Sequence, residues 1–266
     1  MIIARLLGYP NALAVGLSNG GILLDAGSCC EPCLLCLNMK GSDSLSKLEL
    51  MRAGRHRTAG LRTESLLLIL CQVSTADHRL LLTPFRGFCL LMIILPTEFW
   101  DLGHKLFRSP FPAAFIHADL LDQTQLSPGP PSSDPPDLVN LSSLNQLRGH
   151  VTVIHASALF QLFSEEKQLA LAQALGGLLA PVSGACIFGW SPGRTEAGYI
   201  EYECKASYPR QFFHSPSSWE ALWNGVVFPK GSVEVEARLE EFEHDLGATL
   251  KGGFPIKRLD WVVRRM

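Results

Sequence analysis

The chain lacks a strong net charge of either sign. Its 23 basic and 25 acidic residues give a formal charge of -2 over 266 residues. A nearly neutral protein exerts no long-range attraction on nucleic acid or on an anionic membrane surface. The composition therefore favours a small-molecule partner and predicts no nucleic-acid partner.

Long hydrophobic runs are also missing, although 47% of the residues are hydrophobic. The apolar stretches 66–71 and 88–95 are far shorter than the roughly 20 residues that cross a bilayer. The first residues contain one arginine and an apolar run that is too short for a secretory signal peptide. We expect two buried strands here, no membrane partner and a cytoplasmic protein.

Cysteine is present, but a complete zinc-binding pattern is absent. Four of the eight cysteines lie within 29–36, where two CxxC spacings overlap. A closed structural zinc site needs four ligands, and no second CxxC or HxxxH follows at the spacing of a zinc finger. We therefore predict no metal and expect reduced thiols, with a zinc-bound interaction module as the third alternative for this protein.

The second half of the chain has the pattern of a β-α-β unit. Residues 151–156 form a β-branched apolar run, and Ser164 then takes the N-cap position before two glutamates. Apolar residues continue at helical spacing until Pro181, and 184–189 is the next strand-like run. This order predicts parallel strands in an α/β domain.

Further elements are predicted on both sides of this unit. They are a strand over 114–118, a capped helix over 217–223, and strands over 232–239 and 256–263, the last with Trp261 against the sheet. Five prolines between 128 and 136 exclude regular structure, so an exposed loop is expected over 127–145. The chain is long enough for one full core, and we predict a single domain over 1–266.

Residues 21–27 combine an apolar run with Asp25 and then Gly27. This order suits a nucleotide-sized ligand over the carboxyl end of a strand, because glycine lets the backbone approach closely. The other interpretation of this common pattern is a buried strand and its turn.

Several ordered blocks then carry a resemblance to a known family. They are EFWDLGHKLF at 98–107, ADLLD at 118–122, IHASALFQLF at 154–163, and FHSPSSW with LW between 213 and 223. From Pro96 onwards the chain resembles the fungal S-adenosylmethionine-dependent methyltransferases of secondary-metabolite clusters, particularly of meroterpenoid pathways. The resemblance implies a Rossmann-like methyltransferase fold, with a mostly parallel central sheet and helices on both faces.

The resemblance also implies S-adenosyl-L-methionine as cofactor and O-methylation of a small organic secondary metabolite. The cofactor-binding residues it implies are Asp25, Gly27, Asp119, Leu120, His155, Ala156 and Ser157. Asp119 would accept a hydrogen bond from the adenine amino group, and His155 would be the catalytic base. An apolar acceptor pocket would be supplied by Trp190, Tyr199, His214, Trp219 and Trp223, for which ordinary core packing is the other interpretation.

The chain departs from the family pattern in two places. Glu31 stands where the family's first motif has its second glycine, and Ile94 stands where an acidic residue would bind the ribose hydroxyls. The segment 30–95 is also longer than the family usually has there, which suggests translated non-coding sequence or aberrant splicing. A degenerate, non-catalytic methyltransferase-like protein is therefore the alternative function.

Overall fold

Nine strands and two α-helices are seen in the part of the chain that the structure describes. The computed structural model describes residues 22–28, 89–93, 114–118, 121–137, 140–201, 210–241 and 256–266, with backbone alone in the first three ranges. The strands are β1 (Ile22–Ser28), β2 (Cys89–Ile93), β3 (Ala114–Ala118), β4 (Val151–Ser157), β5 (Cys186–Gly193), β6 (Gly198–Glu201), β7 (Arg210–Phe213), β8 (Val233–Glu240) and β9 (Lys257–Arg265). The helices are α1 (Glu165–Leu178), α2 (Pro216–Trp223) and two short 3-10 helices, Leu144–Leu147 and Phe160–Leu162.

Seven of the strands form one sheet, in the order β3-β2-β1-β4-β5-β9-β8. The first five strands in this order are parallel to one another, whereas β9 runs antiparallel to both β5 and β8. The chain moves outward from β1 to β3 and then returns to place β4 beside β1, which makes the gap between β1 and β4 a topological switch point. The predicted Rossmann-like α/β fold with a mostly parallel sheet is confirmed.

The strand β2 comes from the unusual segment 30–95. Its residues 89–93 pair with both β1 and β3, so at least this part of the segment contributes to the sheet. The strand ends at Ile93, and Ile94, at which the resemblance implies the ribose-binding position, lies outside the described residues. The apolar run 66–71 and the cysteine segment 29–36 lie outside the described residues.

The predicted β-α-β unit is confirmed with small changes at its ends. The Ser164 hydroxyl accepts a hydrogen bond from the Lys167 N–H, which satisfies one of the free donors of the first turn of α1. The helix ends at Leu178, and β5 begins two residues later than predicted and continues to Gly193. The crossover from β4 to β5 is therefore a helix that packs on the sheet, as parallel strands require.

One face of the sheet carries the described core. Leucines of α1 pack there against Ile154 and Ile187, and five aromatic side chains complete the cluster: Phe160, Trp219, Trp223, Phe228 and Trp261. Phe160, just after β4, lies at its centre, with its ring centroid 4.8 Å from Trp219, 5.9 Å from Trp261 and 6.3 Å from Trp223. Trp261 is fully buried against the sheet, which confirms its predicted packing.

The elements around this core also follow the sequence, with one correction. The N-cap of α2 is Ser215, so the helix begins at Pro216 instead of within the run 217–223. The expected loop is irregular and mostly exposed from 127 to 137, while Leu144 and Leu147 are buried in a 3-10 helix at its far end. Among the described residues there is no helix with the length and apolar content needed to span a membrane.

Candidate active site at the carboxyl ends of the strands

The switch point brings two predicted site residues into register. Asp25 of β1 is the backbone partner of His155 of β4, and Ser28 is the partner of Ser157. Three steps along β1 therefore match two along β4, which places a bulge at Ala26 and Gly27. The strand β1 continues through Gly27 to Ser28.

His155 and Ser157 are joined by a buried hydrogen bond. The distance from His155 Nε2 to Ser157 Oγ is 2.7 Å, and the two residues are 3% and 2% exposed. The pair shares one face of β4, because residues two apart in a strand point to the same side. The His155 ring also lies against Phe188 of β5, with ring centroids 5.1 Å apart. A polar pair is thus held at the end of β4, on the face opposite the aromatic core.

The turn that follows β4 is fixed by its backbone. Ala158 has a φ of 51°, which is unusual for a residue other than glycine. Its N–H donates to the Trp190 carbonyl over 2.7 Å, and this bond secures the turn to β5. At Gly189 a Cβ would collide with the Ala156 carbonyl, so glycine is required for this close approach of β4 and β5. The backbone of Ser157 is therefore held by contacts to β5 at both of its neighbours, Ala156 and Ala158.

A buried ion pair lies beside this end of β5. Asp260 of β9 is the register partner of Trp190 and is fully buried. Arg258 donates to both of its carboxylate oxygens, over 2.8 Å and 3.0 Å. Burial raises the pKa of the Asp260 carboxyl, and the bonds from Arg258 oppose that rise. The sequence did not predict this pair as part of the site, because only the pairing of β9 with β5 places Asp260 beside Trp190.

The sequence did not predict the hairpin of β6 and β7. Two buried glutamines connect this hairpin to the segment after β4. The Gln168 side chain donates to the carbonyls of Phe163 and Phe212, each over 3.1 Å. The Gln211 side chain donates to the Gln161 carbonyl over 3.2 Å. The hairpin therefore forms a fixed wall next to the end of β4.

Tyr199 lies on the outer side of this hairpin and is 37% exposed. Its hydroxyl donates to the Glu165 carboxylate over 2.9 Å, and this bond raises the pKa of Tyr199. The Arg210 guanidinium lies 3.8 Å from the centre of the Tyr199 ring. These contacts attach the hairpin to the first turn of α1.

His214 follows the hairpin and leads into α2. Its Nδ1 lies 2.9 Å from the Ser218 hydroxyl, and its ring meets Trp219 at a centroid distance of 5.0 Å. Burial lowers the pKa of His214 to about 4, because the charged imidazolium is poorly solvated there. The side chain is therefore a neutral imidazole at physiological pH.

The structure divides the five aromatic residues of the predicted acceptor pocket. Trp219, Trp223 and the neighbouring His214 lie with the aromatic core, and the two tryptophans are fully buried. Trp190 shares the opposite face with His155, while Tyr199 lies on the hairpin. Their joint role as a pocket stays a prediction.

Two of the predicted cofactor contacts come after β3 in the sequence. Asp119 and Leu120 follow directly after β3 but lie outside the described residues. Within the described ranges, no group of three or more His, Cys, Asp or Glu is placed to hold a metal ion. Cys186 of β5 is fully buried.

Curated fungal proteins match a little over half of the chain. The O-methyltransferase phiE of a fungal species (strain ATCC 74256) is 28% identical over 150 residues, which cover 55% of this chain and 44% of that protein. The methyltransferase adrK of Penicillium roqueforti is 29% identical over 153 residues, 57% of this chain and 48% of its own length. The resemblance to fungal methyltransferases is confirmed. The chain spans about half the length of these methyltransferases.

Solved methyltransferase structures align with most of the chain at low identity. One of them is the 1,6-didemethyltoxoflavin-N1-methyltransferase of Burkholderia thailandensis, solved with bound 1,6-didemethyltoxoflavin and S-adenosylhomocysteine. It is 9% identical with a TM-score of 0.45, and the alignment covers 97% of this chain and 77% of that one. An S-adenosylmethionine-dependent methyltransferase from Mesorhizobium loti is 10% identical with a TM-score of 0.45, and the alignment covers 99% of this chain and 100% of that one. No protein-family model matches the chain.

Proposed function

We propose that the chain is an S-adenosylmethionine-dependent O-methyltransferase that acts on a small organic secondary metabolite in the cytoplasm. The similarity to two fungal methyltransferases carries this proposal, and one of them is named an O-methyltransferase. The topology adds physical support, because ligands of open α/β sheets bind outside the carboxyl ends of the strands at the switch point. In this chain that point lies between β1 and β4.

The residues at the switch point fit a cofactor that must lie close to the backbone. Ala26, Gly27, Ala156 and Ser157 are all small, and Gly27 lies in a bulge. We assign Asp25 and Gly27 to the methionine end of the cofactor. Asp119 and Leu120 are assigned to the adenine. The preceding strand β3 is parallel to β2 and β1, so its carboxyl end lies at the same end of the sheet as theirs, and a carboxylate there can accept a hydrogen bond from the adenine amino group.

The protein has little covalent chemistry to perform in methyl transfer. S-adenosylmethionine supplies an activated methyl group on a sulfonium with a good leaving group. The site must orient the acceptor oxygen in line with that group, exclude water and remove one proton. His155 is the group that we assign to the proton, because it is an imidazole at the carboxyl end of β4.

Calorimetric titration with S-adenosylhomocysteine tests the proposal on the full chain. We expect binding, and Asp119→Ala should weaken it by about 1 to 3 kcal/mol through the lost hydrogen bond to adenine. Asp134→Ala is the matched control, because Asp134 is an exposed carboxylate of the proline-rich loop. Equal losses in the two variants would remove the assignment of Asp119.

A second variant, Glu31→Gly with Ile94→Asp, restores the family pattern at the two departures. Tighter binding by this variant would indicate that the unmodified site is functional but weakened. An absence of binding by the unmodified chain would contradict the proposed function. Transfer of a labelled methyl group to a panel of phenols and carboxylic acids then distinguishes these two acceptor classes, since methyl esters are hydrolysed by base and aryl methyl ethers are not.

A further inference from the structure

We propose that Ser157 is a second catalytic residue, which receives the proton of the acceptor hydroxyl and passes its own proton to His155. This inference rests on the proposed methyltransferase function. It changes the role of Ser157 from a cofactor contact to the outer member of a proton relay. It also makes His155 the final proton acceptor, without direct contact to the substrate.

The order of the two residues along β4 is the first argument. A ligand at the switch point lies beyond the carboxyl ends of the strands. Ser157 is the last residue of β4, and His155 lies two residues further inside on the same face. An acceptor that approaches from this edge therefore meets the hydroxyl of Ser157 before it meets the imidazole.

The hydrogen bond between them is the second argument. Its length of 2.7 Å is at the short end of the range for nitrogen and oxygen, and both residues are almost completely buried. A serine hydroxyl has one proton to give and two lone pairs to accept another. Ser157 can therefore donate to His155 Nε2 and accept from an acceptor hydroxyl at the same time.

The fixed surroundings of the pair are the third argument. The bond from the Ala158 N–H to the Trp190 carbonyl holds the backbone directly after Ser157. Gly189 lets the neighbouring strand approach Ala156, directly before it. The His155 ring lies against Phe188. A relay needs donor and acceptor at constant distance, and these contacts provide that constraint.

The step balances in atoms and charge. The acceptor oxygen forms a bond to the methyl carbon as the carbon–sulfur bond breaks, and the sulfur leaves as a neutral sulfide. The hydroxyl proton of the acceptor moves to Ser157 Oγ while the Ser157 proton moves to His155 Nε2. The positive charge therefore passes from the sulfonium to the imidazolium of His155, which later releases its proton to water.

The relay requires one tautomer of His155. Nε2 must be free of a proton and accept from Ser157, which leaves the proton of the neutral ring on Nδ1. Nitrogen-15 NMR of the full-length protein, labelled in its histidines, reads this directly, without cofactor or acceptor. We expect His155 Nε2 to resonate as an unprotonated, hydrogen-bonded nitrogen. A protonated Nε2 in the neutral ring would overturn the proposal, because Ser157 would then be the acceptor.

Variants connect the tautomer to turnover. Ser157→Ala should move the Nε2 signal and lower kcat by about 10²-fold or more, the usual contribution of a proton-transfer group. Its affinity for S-adenosylhomocysteine should stay unchanged. Ser191→Ala is the matched control, since Ser191 is a buried serine of β5, and it should leave both signal and kcat unchanged. Ser157→Thr keeps the hydroxyl and should retain most of the kcat that the alanine variant loses.

The outcomes separate this proposal from the function on which it rests. Loss of S-adenosylhomocysteine binding in Ser157→Ala, with kcat unchanged at saturating cofactor, would overturn the relay and make Ser157 a cofactor contact. Failure of the unmodified chain to bind S-adenosylhomocysteine would contradict the methyltransferase function itself. The NMR result identifies the protonated nitrogen in either case.

Discussion

Gly189 gives the sharpest test of how β4 and β5 position the candidate site. A Cβ at this residue would meet the carbonyl carbon and oxygen of Ala156 and the nitrogen of Ser157. All three are backbone atoms, so no side chain can rotate away and the strands must move apart. Overpacking of a core costs about 1 to 3 kcal/mol, and we expect Gly189→Ala to reach about 3 kcal/mol because the obstacle is rigid.

Gly177 is the matched control for the same substitution. It is an exposed residue of α1, and a Cβ there would have no heavy atom within 4 Å. Replacing glycine by alanine inside a helix stabilises it by about 0.5 to 1 kcal/mol, because the unfolded chain loses conformational freedom. The two variants should therefore change the free energy of unfolding in opposite directions, with a difference of about 4 kcal/mol.

Urea unfolding of both variants measures this difference as a shift in midpoint at constant slope. A protein of this kind is stable by about 5 to 15 kcal/mol, so the expected loss in Gly189→Ala is large and easily resolved. A loss below about 0.5 kcal/mol, or a change of the same sign in both variants, would refute the close approach of the two strands.

Three further predictions concern the packing around the site. Phe160→Ala should cost about 3 to 5 kcal/mol in urea unfolding, because a buried ring with three aromatic neighbours is lost, and a cost below about 1 kcal/mol would contradict the cluster. The pKa of His214 is lowered to about 4 from 6.5, so the unfolded chain binds more protons between these values. The contribution of His214 to the free energy of unfolding should be fully present above about pH 6.5, and the free energy of unfolding should fall by up to about 3 kcal/mol towards pH 4. His214→Asn should flatten this slope, and an unchanged slope would exclude His214 as its source. Asp260→Ala should lower the free energy of unfolding by about 3 to 5 kcal/mol, because Arg258 then loses its carboxylate. The double variant Asp260→Leu with Arg258→Met removes both charges and should lower it much less. Equal losses in the two variants would show that the charge pair does not determine the effect.

Much of the second half of the fold could be predicted from local chemistry. The run 151–156 is β-branched and apolar, Ser164 has a side chain that caps a helix, and Pro181 cannot continue one. Each of these signals acts within a few residues, so the structure agrees with them to within a few positions. The start of α2 was placed too late, because Ser215 and Pro216 together begin the helix.

The hairpin of β6 and β7 could not be predicted in the same way. Each strand has four residues, which is too short for a clear periodic signal. Its place depends on Gln168 and Gln211, which reach carbonyls 44 and 50 residues away in sequence. The His155–Ser157 pair is different, since a spacing of two within a predicted strand already places both on one face.

The sequence by itself determined the class of the fold, the β-α-β unit and the motif similarity to fungal methyltransferases, because propensity, capping and motifs are properties of short segments. The tertiary structure decided what those segments do together. It paired Asp25 with His155 at the switch point, placed Asp260 beside Trp190, and sent Trp190 and Trp219 to opposite faces of the sheet. Strand order and register arise from packing between distant parts of the chain, which no local pattern records.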